Sequence, residues 1–157
     1  MRFNYQVTDA TKNFSAYCMG ILEVQGKILL VQDKSKKYYG RWMLPSKKSS
    51  TTDRLVLVAE QGLKESTDIK ANVDKVVGVY HTYNVEDKRG TLIFTFAMNK
   101  ARGELNVATG NVLSASWFTY KEIFKMPEES FRYSFVRTMI KDYRKGKRYP
   151  VDLIHTV

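Results

Sequence analysis

Residues Leu44 to Ile69, LPSKKSSTTDRLVLVAEQGLKESTDI, read as the end of a strand, a basic loop and one amphipathic helix. Trp42-Met43-Leu44 is a short apolar run stopped by Pro45, and Ser46, Lys47, Lys48, Ser49 and Ser50 are loop residues. Ser50, with Asp53 three positions on, has the form of a capping box, and Leu55, Val58 and Ala59 then recur at helical spacing. The spacing predicts a helix that starts near residue 52 and ends near Thr67. Asp68 then stands at or just past the cap, where Gly or Asn is the usual choice. At about 100° per residue, Gly62 and Ser66 fall on the side of Leu55 and Ala59, Glu65 lies one step round, and Glu60 points roughly the opposite way. That face offers one glutamate, a hydroxyl and a glycine.

The rest of the chain surrounds this helix with strands. Phe14 to Val24 and Lys27 to Gln32 are apolar runs separated by Gln25-Gly26, which predicts a hairpin. Asp33 to Gly40 is a basic loop. Val76 to Tyr83 and Leu92 to Met98 are strand candidates joined by polar residues 84–90, Leu105 to Leu113 is turn-rich, and Ala115 to Phe118 is a short strand before a short helix, Tyr120 to Lys125. Ser130 is placed to cap a final helix in which Phe131, Phe135, Met139 and Tyr143 make one stripe, suited to the core or to a dimer contact. Residues 1 to 13 carry no period and read as an arm, and residues 130 to 157 as the terminal helix and tail. The expected architecture is a single α/β (α+β) domain over residues 1–157, with a central mixed sheet between helices.

A chain of 157 residues buries a core without staples, and its single cysteine, Cys18, excludes an internal disulfide. Cys18 lies in an apolar strand and reads as a buried small hydrophobe. No apolar stretch approaches the roughly 18 residues needed to span a membrane, so a reducing, cytoplasmic setting with no membrane partner is the default expectation. The formal charge of +10 and pI near 9.6 favour anionic partners or simple solubility. Seven cations, Lys34, Lys36, Lys37, Arg41, Lys47, Lys48 and Arg54, cluster around the loop. A second block, Arg137, Lys141, Arg144, Lys145, Lys147 and Arg148, accompanies the last helix.

The segment from Lys47 to Ile69 resembles the Nudix box: Gly, five residues, Glu, seven residues, Arg-Glu, aliphatic, any, Glu-Glu, any, Gly, aliphatic. Gly40-Arg41-Trp42-Met43-Leu44-Pro45 is similar to the strand that leads into the box. Ser114-Ala115-Ser116-Trp117-Phe118, with Lys121-Glu122-Ile123, resembles the family's late strand and helix, and Phe131 to Ile154 its tail in small members acting on nucleotides and thiamine-type pyrophosphates. The resemblance implies a Nudix-like α/β/α sandwich over roughly residues 14–154.

In that family the box glutamates hold magnesium, which activates water against a nucleoside diphosphate-type linkage. Here the opening glycine is Lys47, the first glutamate Asp53, the arginine Gln61 and its glutamate Gly62. Of the final acidic pair Glu65 remains and Ser66 replaces its partner, while Asp68 stands for the closing glycine. Many members draw a further carboxylate from the loop before the late tryptophan strand, and Thr109-Gly110-Asn111-Val112 has none; Glu104 is the nearest acid. Magnesium seeks several oxygen ligands. A degenerate box therefore implies a protein that binds a nucleotide or other phosphorylated small ligand without efficient hydrolysis and needs no cofactor. Lysine neutralises phosphate as a point charge without a metal, so Lys47, Lys48, Arg41, Trp42 and Gln61 are the expected ligand contacts. A lysine pair in a loop, taken alone, is more often merely solvated. The alternative is a divergent magnesium-dependent pyrophosphohydrolase with Glu65 and Asp53 as catalytic groups and Glu65 as metal ligand. An RNA-binding subunit ranks behind a small ligand, and a homodimer is implied by resemblance only.

Overall fold

The apolar run beginning at residue 14 becomes β1 (Phe14–Val24), the middle strand of the sheet. The computed structural model describes residues 14–50, 52–107 and 111–157, so the arm expected at residues 1 to 13 lies outside the described residues. β1 turns through Gln25 (φ 52) and Gly26 (φ 76) into β2 (Lys27–Gln32). Two successive left-handed residues are what a two-residue type I′ hairpin requires.

β2 pairs antiparallel with β3 (Trp42–Met43) and with β7 (Ser114–Thr119). On the other side β1 runs parallel to β6 (Arg89–Arg102), which pairs antiparallel with β5 (Lys70–Asn84). A short strand, β4 (Ser46–Lys48), lies antiparallel against Tyr17, Cys18 and Met19 of β1. The strand order β3-β2-β1-β6-β5 makes a mixed sheet.

Both faces of this sheet are covered, which is why β1 and β2 read as continuous apolar runs and not as alternating ones. Toward one face, Leu22, Leu29 and Met98 meet Leu63, and Cys18, Val76 and Phe96 meet Val58 and Ala59, all from the helix α1 (Leu55–Thr67). Toward the other, Met19, Ile21, Leu30 and Ile93 meet Ile123 of α2 (Tyr120–Lys125) and Val136, Met139 and Ile140 of α3 (Phe135–Arg144). Odd and even residues of β1 thus serve different layers, as the two-residue strand period demands. The result is an α/β/α arrangement. Fully burying a side chain such as Leu63 stabilises the fold by about 1.5–3 kcal/mol. Cys18 is buried in the α1 layer, and burial, followed by the nearby Asp53 charge, pushes its thiol up to about 12. It stays protonated near neutrality and packs as a small hydrophobe.

Three expectations shift. Helix α1 begins at Leu55, three residues later than its spacing suggests, because the Asp53 carboxylate accepts from both the Ser50 N–H (3.0 Å) and the Ser50 hydroxyl (2.7 Å). Those bonds tie Asp53 back to Ser50, and Arg54 stays extended. β5 and β6 run well past the apolar stretches that announce them, since their outer parts are held by ladder hydrogen bonds with little burial.

Phe131 is not part of the last helix. A 3-10 turn at Glu128–Ser130 leads Phe131 into a bridge with Trp42, the Arg132 N–H donates to the Trp42 carbonyl (2.9 Å), and α3 begins only at Phe135. Ser130 is therefore not its cap. No helix among the described residues is long and apolar enough to cross a membrane.

Candidate functional site

β4 crosses α1 at Gly62. A Cβ built on Gly62 would stand 3.0 Å from the Lys47 Cβ and from the Ser46 carbonyl carbon, and 3.1 Å from the Lys47 nitrogen. The absence of a side chain at residue 62 is what lets the strand lie this close to the helix. From there the Lys47 side chain reaches along the helix, and its ammonium donates to Glu65 Oε1 at 2.5 Å. Ser66, the next position on the packed side, is buried and donates its hydroxyl to the Gly62 carbonyl at 2.6 Å. Its bond follows the pattern by which helical serines satisfy themselves on the preceding turn.

The donor set for a divalent ion can be judged on these contacts. Magnesium wants several oxygen ligands whose charge offsets its own. Glu65 already faces an ammonium, Gly62 has no side chain and no space for one, and the Ser66 hydroxyl is committed to the helix. Asp53 sits before α1, bound to Ser50, and those hydrogen bonds hold its carboxyl below the usual carboxylate range. Glu60 accepts from the Val73 N–H (2.9 Å) and ties α1 to β5. Glu104 is exposed beyond β6. Among the described residues no three His, Cys, Asp or Glu side chains are grouped to hold a metal ion. These residues do not fit a magnesium site.

Beside Ser66 lies a recess of about 370 Å³ bordered by Asp33, Lys34, Ser46, Ser66, Asn111 and Arg132. Arg132 is the link to a larger recess of about 850 Å³, whose walls include Tyr17, Tyr38, Tyr83, Tyr133 and Phe135. Its guanidinium stands 4.9 Å from the Tyr38 ring centroid and 4.8 Å from that of Tyr133, and it pairs with the buried carboxylate of Asp33. Asp33 also accepts from the Ser35 N–H at 2.6 Å. The Arg132 Nε is buried and has no hydrogen-bond partner among the described residues. A buried donor left unmatched costs about 1–3 kcal/mol. Burial pushes the Tyr133 phenol up to about 12, keeping it neutral and ring-like.

The residues singled out from sequence are scattered. Lys47 and Glu65 meet each other; Lys48 and Gln61 are exposed and border neither recess. Arg41 is exposed and borders neither recess, its guanidinium 5.8 Å from the ring of Tyr38, which lines the aromatic one. Trp42 packs edge-on against Phe118 at 4.7 Å and joins the core. Sequence reasoning missed Arg132 and Asp33. The available signals were an acid directly after the strand Lys27–Gln32 and an arginine set among Phe131, Tyr133 and Phe135. Because both ends of the Lys47–Glu65 pair are partly exposed, at 32% and 47%, Lys47→Ala is expected to change stability by less than about 1 kcal/mol in urea unfolding.

No family model matches the chain. It is 25% identical over 128 residues to an ADP-ribose pyrophosphatase of Methanocaldococcus jannaschii, a match covering 82% of this chain and 72% of that one. A NUDIX hydrolase from Nitrosomonas europaea superposes with a TM-score of 0.80 at 22% identity, covering 91% of this chain and 97% of the other. A MutT NUDIX hydrolase from Burkholderia pseudomallei gives a TM-score of 0.71 at 16% identity, over 82% and 97% of the two chains. The mixed sheet with helices packed against both faces matches these solved structures, and the chain has the Nudix fold.

Proposed function

We propose that the chain binds a nucleotide-type phosphorylated ligand in the paired recesses and does so without metal-dependent hydrolysis. The observation that carries this reading is the ammonium of Lys47 seated on Glu65 beside a glycine with no space for a side chain. A cation supplied by the chain already occupies the surviving box carboxylate. The ring of the ligand rests among Tyr17, Tyr38 and Tyr133, where flat aromatic surfaces favour stacking. Its phosphates lie toward Lys34, Ser46 and Ser66, and the Arg132 guanidinium, which borders both recesses, donates across the junction. Arginine suits this place because its planar fork meets phosphate with directed hydrogen bonds. Arg41 stands against the Tyr38 ring, and Lys47 acts through Glu65 and not on the ligand.

Thermal shift measurements with ADP-ribose, ADP and a dinucleotide test this. Stabilisation of equal size in EDTA and in magnesium is expected, reaching about 2.7 kcal/mol at a hundredfold excess over Kd. Stabilisation that appears only with magnesium would overturn the metal-free reading. A second reading, a magnesium-dependent pyrophosphohydrolase using Glu65 and Asp53, draws on the similarity to the Methanocaldococcus jannaschii ADP-ribose pyrophosphatase. It predicts turnover of ADP-ribose that Glu65→Ala removes.

A further inference from the structure

The second basic block lies away from both recesses, on the outer side of α2 and α3. Arg137, Lys141, Arg144 and Arg148 recur three or four residues apart, so the first three share a face of α3 and Arg148 follows just beyond its end. Aromatic rings are interleaved with them. Arg137 and Lys141 each stand 5.8 Å from the Phe124 ring, Arg144 stands 4.6 Å from Tyr120, and Arg148 stands 3.8 Å from Tyr143. Arg137 is fixed further by donating to the Phe124 carbonyl at 3.1 Å. Phe124, Lys141, Arg144 and Lys145 border an open groove of about 510 Å³.

The acids nearby are engaged elsewhere. Asp142 accepts from Tyr80 and pairs with Lys147 at 3.0 Å, Glu23 accepts from the Tyr120 hydroxyl, and Glu122 closes the capping box at Thr119. The groove is therefore left with cationic heads around a half-buried ring. Alternating cations and aromatic faces match a single strand, whose phosphates need neutralising and whose bases stack on any flat surface. An anionic membrane would call instead for an exposed apolar stripe beside the cations, and this groove offers one ring.

We infer that the α2–α3 face is a binding surface for single-stranded nucleic acid, with Lys141, Arg144 and Lys145 on phosphates and a base against Phe124. The test is fluorescence anisotropy with the full chain and labelled U12 and dT12 oligonucleotides across a range of salt. Affinity should fall with salt by a log-log slope of about 0.7 for each phosphate neutralised. Lys141→Ala/Lys145→Ala, both at exposed positions, should lower the slope by about 1.4, twice that increment, and weaken binding at low salt by roughly tenfold or more. Phe124→Leu should weaken binding with the slope unchanged. Tighter binding of U12 than dT12 would mark RNA as the natural strand, and equal binding would mark a surface indifferent to the sugar; both support the assignment.

Lys47→Ala should leave binding to the oligonucleotides as it was. Failure to bind either oligonucleotide at low salt, binding unaffected by the Lys141 and Lys145 substitutions, or equal loss with Lys47→Ala would overturn the inference. Capture by phosphatidylserine vesicles without oligonucleotide binding would overturn it also.

Discussion

Replacing Arg132 with methionine is expected to destabilise the protein by about 3–5 kcal/mol, the range found when one partner of a buried ion pair is removed. The Asp33 side chain is only 5% exposed and pairs with the Arg132 guanidinium, so the substitution strands a carboxylate at the mouth of the recess. The Ser35 N–H remains, and one neutral donor does not offset a buried charge. The double substitution Asp33→Asn/Arg132→Met removes both charges, and its loss should be clearly smaller than the sum of the two single losses. Urea unfolding of the four proteins gives the coupling. If Arg132→Met cost under about 1 kcal/mol, Asp33 would be reaching solvent and the junction between the recesses would be looser than described. Even a folded Arg132→Met protein should lose the phosphorylated ligand, since among the described residues no other guanidinium borders both recesses.

Gly62→Ala carries the second large effect, and its sign discriminates. In an unobstructed helix interior, alanine is favoured over glycine by about 1 kcal/mol. Here the added Cβ meets main-chain atoms of Ser46 and Lys47 at 3.0–3.1 Å. Those atoms belong to a strand paired with β1 and cannot rotate away like the end of a flexible side chain. Overpacking of this kind costs about 1–3 kcal/mol, so after the helical gain the net expectation is a loss of about 1 kcal/mol, seen as a Tm lower by a few degrees. Gly62→Glu should be worse, because the larger group must leave the same crossing. A Gly62→Ala protein stabilised by the full helical preference would show that β4 moves aside readily, and the steric case against a carboxylate there would fail.

Much of the fold was legible because the strands that build it are buried on both faces. β1 and β2 have the bounds expected from their apolar runs, and Gln25-Gly26 turns between them as the hairpin rule requires. Helix α2 likewise has the bounds expected of it, and Thr119 and Glu122 form a full capping box at its start. What escaped was set by partners far away in sequence. The helical period of Phe135 and Met139 extends backward to Phe131, yet Phe131 is drawn to Trp42 and carries Arg132 to Asp33, ninety-nine residues from it in sequence. That residues 62 and 66 are glycine and serine could be read directly. That β4 lies within 3.0 Å of a Gly62 Cβ could not, because it depends on the register of Ser46–Lys48 against β1. The surroundings of the candidate ligand contacts were likewise out of reach: Lys47 points along the helix to Glu65 and Trp42 packs on Phe118, so residues five apart in the chain part company in space.

The most direct test is phosphate and pyrophosphate release by the purified protein from ADP-ribose, nucleoside triphosphates and dinucleotides, each with magnesium and with manganese. A carboxylate held by its own lysine, beside a glycine without space for a second acid, leaves the divalent ion no anchor, and release should not exceed the protein-free blank. Turnover that depends on the metal and disappears in Glu65→Ala would contradict this outright.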